Sequence, residues 1–394
     1  VASATEAHGA PARTLLTTVF LLGSLFALLG SVLPVWGYHR LDDFLSAGHH
    51  FFLVAIGYLI SNVFASVTAS RFPRLVFSPV PGAMLATVAI LLFAFLPPPF
   101  DISFQLGGAA AVGLAIGSLS AALFHQLAAM APLRSSSSFQ LTTGFGILGA
   151  ILTPLVVAMA VSPSNSLALL VLLPAPLGIA IASSLKRSQI QHAEPIRRMS
   201  DAIDDFRNPP AILLGLLLFF QLGNELTILG WLPIFLVQRL GISPSTGIYG
   251  LAAFSLATLV GRIAVQSLRQ REYRNRIVFA GLLIAVLGCL MLTFTNNLFG
   301  AWFGITLTGL GFSPVYPVAM ELIGNRFPYF HPGIFNSIFS IGLVGGMLAP
   351  WSMGYLAHSY SIQVVLVLPM LGAGMLSILL ALTWLEAKLT GSTR

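Results

Sequence analysis

GFGILGAILTP fills residues 144–154, and IGLVGGMLAP fills 341–350. Both stretches are apolar, rich in glycine and closed by proline. At an ungapped shift of 196 residues, Gly146, Gly149, Leu152 and Pro154 fall on Gly342, Gly345, Leu348 and Pro350. Further out, Gly108, Gly113, Leu114, Pro132 and Phe139 fall on Gly304, Gly309, Leu310, Pro328 and Phe335. Nine identities over 47 positions are few, but six of them are Gly or Pro, the residues that set breaks and close approaches between membrane helices. Gly23/Gly223 and Gly30/Gly230 repeat at a shift of 200. The chain reads as two parallel copies of one unit.

Composition says what the unit is made of. The 394 residues are 56% hydrophobic and 8% charged, whereas soluble domains carry about 25% charged residues. Continuously apolar runs recur from Leu15 to Leu385, each near the roughly 20 residues that cross a bilayer as a helix. A transmembrane β-barrel would instead alternate apolar and polar residues over about ten positions. The reading is an all-α, multi-pass membrane protein with twelve spans at 14–36, 48–70, 76–96, 103–130, 137–160, 166–185, 211–238, 246–268, 276–295, 299–324, 333–356 and 362–385. The first run follows no basic signal-peptide region and is expected to be retained as a helix. With both termini in the cytoplasm, 17 of the 19 Lys and Arg fall on the inner side, leaving Arg40 and Arg239 outside, as the positive-inside rule requires. That distribution also explains the net charge of +7 without nucleic acid. The hydrophilic stretch 186–210 is expected to link an N-terminal six-helix bundle, 1–185, to a C-terminal one, 211–394. Parallel repeats of this kind are a transporter architecture, with the solute site expected between the halves.

Other classes lack their residues. The single Cys289 forbids an intrachain disulfide. No HExxH pair, Cys/His cluster, P-loop or Gly-x-Ser-x-Gly elbow occurs, so no metal, cofactor or catalytic residue is expected and the chain is not read as an enzyme. The adjacent His49 and His50 diverge on a helix and are expected at the membrane interface. Trp36, Tyr38, Trp302, Trp351 and Trp384 sit near span ends and suit interfacial anchors.

The two proline-terminated stretches resemble the fifth and eleventh helices of the major facilitator superfamily, and Gly261–Arg262 with its basic loop resembles that superfamily's pattern between helices eight and nine. Three stretches are similar to the fucose–galactose–glucose:proton symporter group: GNELTILGWL (223–232), GLGFSPVYPVAMELIGNRFP (309–328) and FFLVAIGYL (51–59). Two departures stand out. Gly30–Ser31 occupies the neighbourhood of that group's first-helix Asp, and the loop ASRFPRL (69–75) lacks the superfamily's acidic residue.

An ionisable side chain inside a membrane span is a functional candidate by default. Glu225 lies near the middle of span seven, and Gln221, Asn224, Glu225 and Ile228 share a helix face. A Gln–Asn–Glu stripe must line a cavity or meet another helix. Glu225 is therefore a candidate to bind the coupling proton or touch the solute, the alternative being a protonated Glu bonded permanently to a neighbouring helix. The repeat places His125 opposite Glu321. His125 is a second proton-coupling candidate, set against a neutral His bonded to a backbone carbonyl. By resemblance, Glu321 would form a cytoplasmic gate with Arg262 or Arg326. Solute binding needs amides and aromatic faces, for which Tyr58, Asn62, Gln221, Asn224, Trp231, Tyr249, Tyr316 and Asn336 are candidates.

The expected function is alternating-access transport of a small polar solute, a monosaccharide taken up with a proton, by a monomer in the plasma membrane (the inner membrane of a bacterium). A uniporter, a proton-coupled exporter of other small organic compounds and a non-transporting sensor of the same fold stand as alternatives, because fold does not fix function.

Overall fold

A computed structural model describes residues 2–40, 43–69, 71–129, 136–162, 165–185, 209–267, 274–326 and 332–389; the side chains at 2–12, 127–129, 136–142, 185, 274–275, 324–326, 332–337 and 387 lie outside the description. Among the described residues the chain is helical and contains no strand. The helices are α1 (Ala2–Val35), α2 (Phe44–Thr68), α3 (Pro73–Val76), α4 (Val80–Phe95), α5 (Ile102–Ala129), α6 (Ser136–Ala160), α7 (Pro174–Leu185), α8 (Pro209–Leu240), α9 (Pro244–Ser267), α10 (Arg274–Phe294), α11 (Leu298–Phe312), α12 (Val315–Arg326), α13 (Pro332–Ser359) and α14 (Val364–Leu389). Among the described residues, eleven spans are long and apolar enough to cross a membrane, and α4 is a shorter apolar helix beside them. The protein is a multi-pass membrane protein.

Proline explains where helices depart from the simple runs. Span six opens as a 3-10 turn, Ser166–Leu172, before α7, because Pro174 and Pro176 fit only the start of an α-helix. Span ten breaks between α11 and α12 at Ser313–Pro314. Pro314 and Pro317 supply no N–H to the preceding turn, and the Ser313 hydroxyl donates to the Leu310 carbonyl at 2.7 Å instead. Pro154, Pro233, Pro350 and Pro369 lie inside continuous helices.

By contact the chain divides into two compact units, Val1–Gly37 with His49–Ile196, and Tyr38–Gly48 with Arg197–Arg394. In the first, α1 packs chiefly on α6; in the second, α8 packs chiefly on α13. The repeated glycines make these contacts. A Cβ on Gly149 would overlap the Phe20 carbonyl of α1, and one on Gly345 would overlap the Phe219 carbonyl of α8. Small residues let membrane helices approach to backbone contact, where dispersion replaces the missing hydrophobic drive. The linker 186–210 lies outside the described residues except for Pro209 and Pro210.

His50 is fully buried. Trp36 meets the edge of Phe93 with centroids 5.2 Å apart. Trp384 is 54% exposed, with the Lys388 ammonium 5.4 Å from its ring.

Candidate functional site

The second unit concentrates buried polar groups on its first helix. Glu225 lies midway along α8, and Gln221 sits one turn earlier on the same face, as the i, i+4 spacing dictates. Gln221 Nε2 donates to Glu225 Oε1 at 2.8 Å and reaches the Phe312 carbonyl at 3.3 Å. That carbonyl ends α11, immediately before the break in span ten.

Arg262 completes the group from α9. Its Nη2 donates to Glu225 Oε1 at 2.7 Å. It stands near the C-terminal end of α9, and side chains on a helix lean toward its N-terminus, so the guanidinium reaches back to the carboxylate. Gly261 makes the adjoining approach possible, since a Cβ there would strike the Ser313 hydroxyl. Tyr316 on α12 presents its ring 4.8 Å from the Arg262 guanidinium carbon, within cation–π range. The Gly-Arg pair thus brings α9 against both the span-ten break and the carboxylate.

The cluster is buried and incompletely satisfied. Gln221 is 0%, Arg262 7% and Glu225 8% exposed. Among the described residues, Gln221 Oε1 and Arg262 Nε have no hydrogen-bond partner. One is an acceptor and the other a donor, so a hydroxyl or water could satisfy both.

The expected stripe on span seven does not act as one face. Asn224 turns away from the Glu225 cluster to α14, where its side chain fits against Gly372; it is 3% exposed and its Nδ2 lacks a partner among the described residues. Trp231 is fully buried, gives its Nε1–H to the Pro350 carbonyl at 2.8 Å, and meets Phe44 edge-on with centroids 6.2 Å apart. Tyr249, at 36% exposure, stands in the second turn of α9.

Two gate partners, Arg262 and Arg326, are expected for Glu321. Arg262 bonds Glu225, not Glu321, because its side chain leans into the bundle rather than along α9 to the helix end. The side chains of Arg326 and Asn336 lie outside the described residues. In the first unit, Tyr58 is 2% exposed, and Asn62 donates to the Tyr58 carbonyl at 2.9 Å on its own helix. The His125 ring stacks on Phe77, with centroids 4.1 Å and planes 14° apart.

Sequence reasoning found Glu225, Gln221 and Arg262 but not their junction with span ten. The Ser313–Pro314 pair and Pro317 were the available signal for a break whose end exposes a carbonyl.

Comparison with known families matches the Major Facilitator Superfamily at residues 15–343 and 214–393. The chain belongs to that superfamily. Its fold is similar to that of the nucleoside transporter NupG, with a TM-score of 0.69, 10% identity and coverage of 95% of this chain and 98% of that one. It is also similar to the Escherichia coli fucose:proton symporter FucP, with a TM-score of 0.63, 18% identity and the same coverage. An uncharacterized MFS-type transporter of Yersinia pestis is 28% identical over 153 residues, 39% of this chain and 40% of its own. Bypass of stop codon protein 6 of Saccharomyces cerevisiae is 25% identical over 173 residues, 40% of this chain and 34% of its own. The chain spans about two fifths or less of the length of these curated relatives.

Proposed function

We propose that the chain is a secondary active transporter, taking up a monosaccharide together with a proton by alternating access and working as a monomer. The two six-helix bundles are 1–185 and 211–394, joined by 186–210, and both termini face the cytoplasm, where the Lys and Arg excess lies. The observation that carries the reading is the buried Glu225–Arg262 pair. A charge pair inside a membrane span is costly and marks a solute or proton path.

In this reading a proton and Arg262 compete for Glu225. Protonation removes the carboxylate charge, and Arg262 keeps only the Tyr316 face. Gln221 Oε1 and Arg262 Nε, both without partners, then serve a solute hydroxyl. Tyr58, Asn62, Tyr249, Tyr316 and Asn336 remain solute contacts to be probed, whereas Asn224 and Trp231 are given packing roles. Glu321 keeps its gate role with Arg326, and Arg262 leaves the gate for the coupling pair. His125 is the secondary proton candidate.

One observation favours a second reading. Glu225 Oε1 accepts from both Arg262 and Gln221, an arrangement that also suits a permanently ionised structural pair in a uniporter.

Liposomes holding a pH-sensitive dye separate the two. Internal acidification triggered by one solute from a panel of hexoses, pentoses and deoxy sugars, and lost in Glu225→Gln with exchange of labelled solute retained, is the expected result. Equal loss of exchange and net flux, with no acidification in the natural chain, selects the uniporter. The Glu225→Gln/Arg262→Gln variant, which leaves no unpaired charge, controls for folding.

A further inference from the structure

The second half of α2 has one buried and one bare face. Tyr58 and Ser61 are buried, and Gly113 and Gly117 of α5 bring that face to backbone contact. Opposite them, Leu59, Ile60, Val63, Phe64 and Val67 are 46–70% exposed. With Thr68 they line an open apolar groove of about 470 Å³. From residue 59 to 68 the groove runs roughly 14 Å at about 1.5 Å per residue. That is close to half of a hydrocarbon core about 30 Å thick, the depth of one leaflet.

At the Thr68 end the chain turns, with Arg71 N–H and Phe72 N–H both donating to the Thr68 carbonyl at 3.0 and 2.8 Å. Arg71, Phe72, Arg74 and Leu75 are all exposed. Arg71 lies over the Phe72 ring, 5.8 Å from its centroid, and among the described residues neither guanidinium has a carboxylate partner. No Asp or Glu occurs between Asp43 and Asp101. The loop that lacks the superfamily's acidic residue is therefore purely cationic, with two large apolar side chains beside its charges.

We propose that this face is a binding site for one anionic phospholipid, its acyl chain along Leu59–Thr68 and its phosphate on Arg71 and Arg74. The guanidinium fork matches a phosphate in two parallel hydrogen bonds. A soluble polyanion would leave Phe72 and Leu75 in water, whereas a lipid gives them hydrocarbon. A second copy of the chain on a two-fold axis would set the same cations against each other, since such an interface is self-complementary.

Native mass spectrometry of the full chain in detergent, titrated with short-chain phosphatidylglycerol or phosphatidylcholine, tests the site. The natural chain should retain phosphatidylglycerol in preference. Each arginine near an anionic surface contributes about fivefold, so Arg71→Gln/Arg74→Gln should lower that retention by roughly thirtyfold and lower that of phosphatidylcholine, whose choline cation offsets its phosphate, far less. Arg71→Lys/Arg74→Lys should restore most of it, which a misfolded variant would not do. Val63→Trp, filling the groove, should weaken both lipids. Equal retention of the two lipids by the natural chain, or an unchanged preference in the glutamine variant, overturns the proposal. Disulfide-linked dimers through Val63→Cys in a Cys289→Ser background would overturn it in favour of a second copy.

Discussion

Arg262 Nη2 and Glu225 Oε1 stand 2.7 Å apart between α9 and α8, with both side chains about nine-tenths buried. Removing one partner of such a pair leaves an uncompensated charge and costs about 3–5 kcal/mol, whereas removing both is far less damaging. Glu225→Gln and Arg262→Gln should each lower the unfolding temperature of the purified protein markedly. Glu225→Gln/Arg262→Gln should unfold well above the sum of the two losses. Additive losses would show that the two groups do not act as a pair.

Gln221 ties that pair to the end of α11. Leucine at this position removes both donors and leaves the buried Phe312 carbonyl unsatisfied, at a cost of about 1–3 kcal/mol. Amide exchange in peptides covering Gly309–Ile323 should rise about fivefold or more in Gln221→Leu. Unchanged exchange there would mean that the break in span ten is held by other contacts.

Trp231→Phe keeps an aromatic ring in the fully buried site but deletes the donor to the Pro350 carbonyl. The expected loss is about 1 kcal/mol, measured as a shift in thermal unfolding. Solute exchange should persist, because the residue packs helices; its abolition would return Trp231 to the solute contacts.

Gly149 and Gly345 are the sharpest test of the repeat. Alanine at either must push α6 off α1, or α13 off α8, since the added carbon overlaps backbone oxygen. Overpacking of this kind costs about 1–3 kcal/mol. Gly107→Ala and Gly374→Ala meet open space and should be neutral or mildly stabilising by comparison.

Asp101 caps α5, accepting from the Ser103 N–H at 2.8 Å, and its bonds with Ser103 hold its carboxyl below the usual carboxylate range. A depressed folded-state value gives stability that is present above the unfolded-state value and is lost as pH falls through the folded one. Asp101→Asn should therefore unfold at a lower temperature than the natural chain at pH 7. The gap should close in strong acid, and a gap independent of pH would exclude the ionised cap.

The helix count was legible because hydrocarbon thickness sets the length of each span, whereas the repeated glycines marked close approaches without saying that α1 meets α6 and α8 meets α13. Glu225 stood out because an ionisable side chain in an apolar run is a functional candidate by default. Its partner was harder to read. The interval between Glu225 and Arg262 carries no periodic signal, and Arg262 near a span end suggested a surface latch until the lean of its side chain was known. Asn224 shares a helical stripe with Glu225, yet the two serve different neighbours, because residues one apart diverge by about 100° around the axis. Which neighbour stands on each side is a tertiary fact.

Asn224 occupies the hollow left by the missing side chain of Gly372, and this binds the histories of two distant positions. Any larger residue at 372 collides with the amide unless position 224 has already become small, and a small residue at 224 opens a void unless 372 grows. Neither change is easily tolerated first. Mutational paths through this part of the protein should run through double substitutions, with Gly372→Ala rescued by Asn224→Ser and damaging without it.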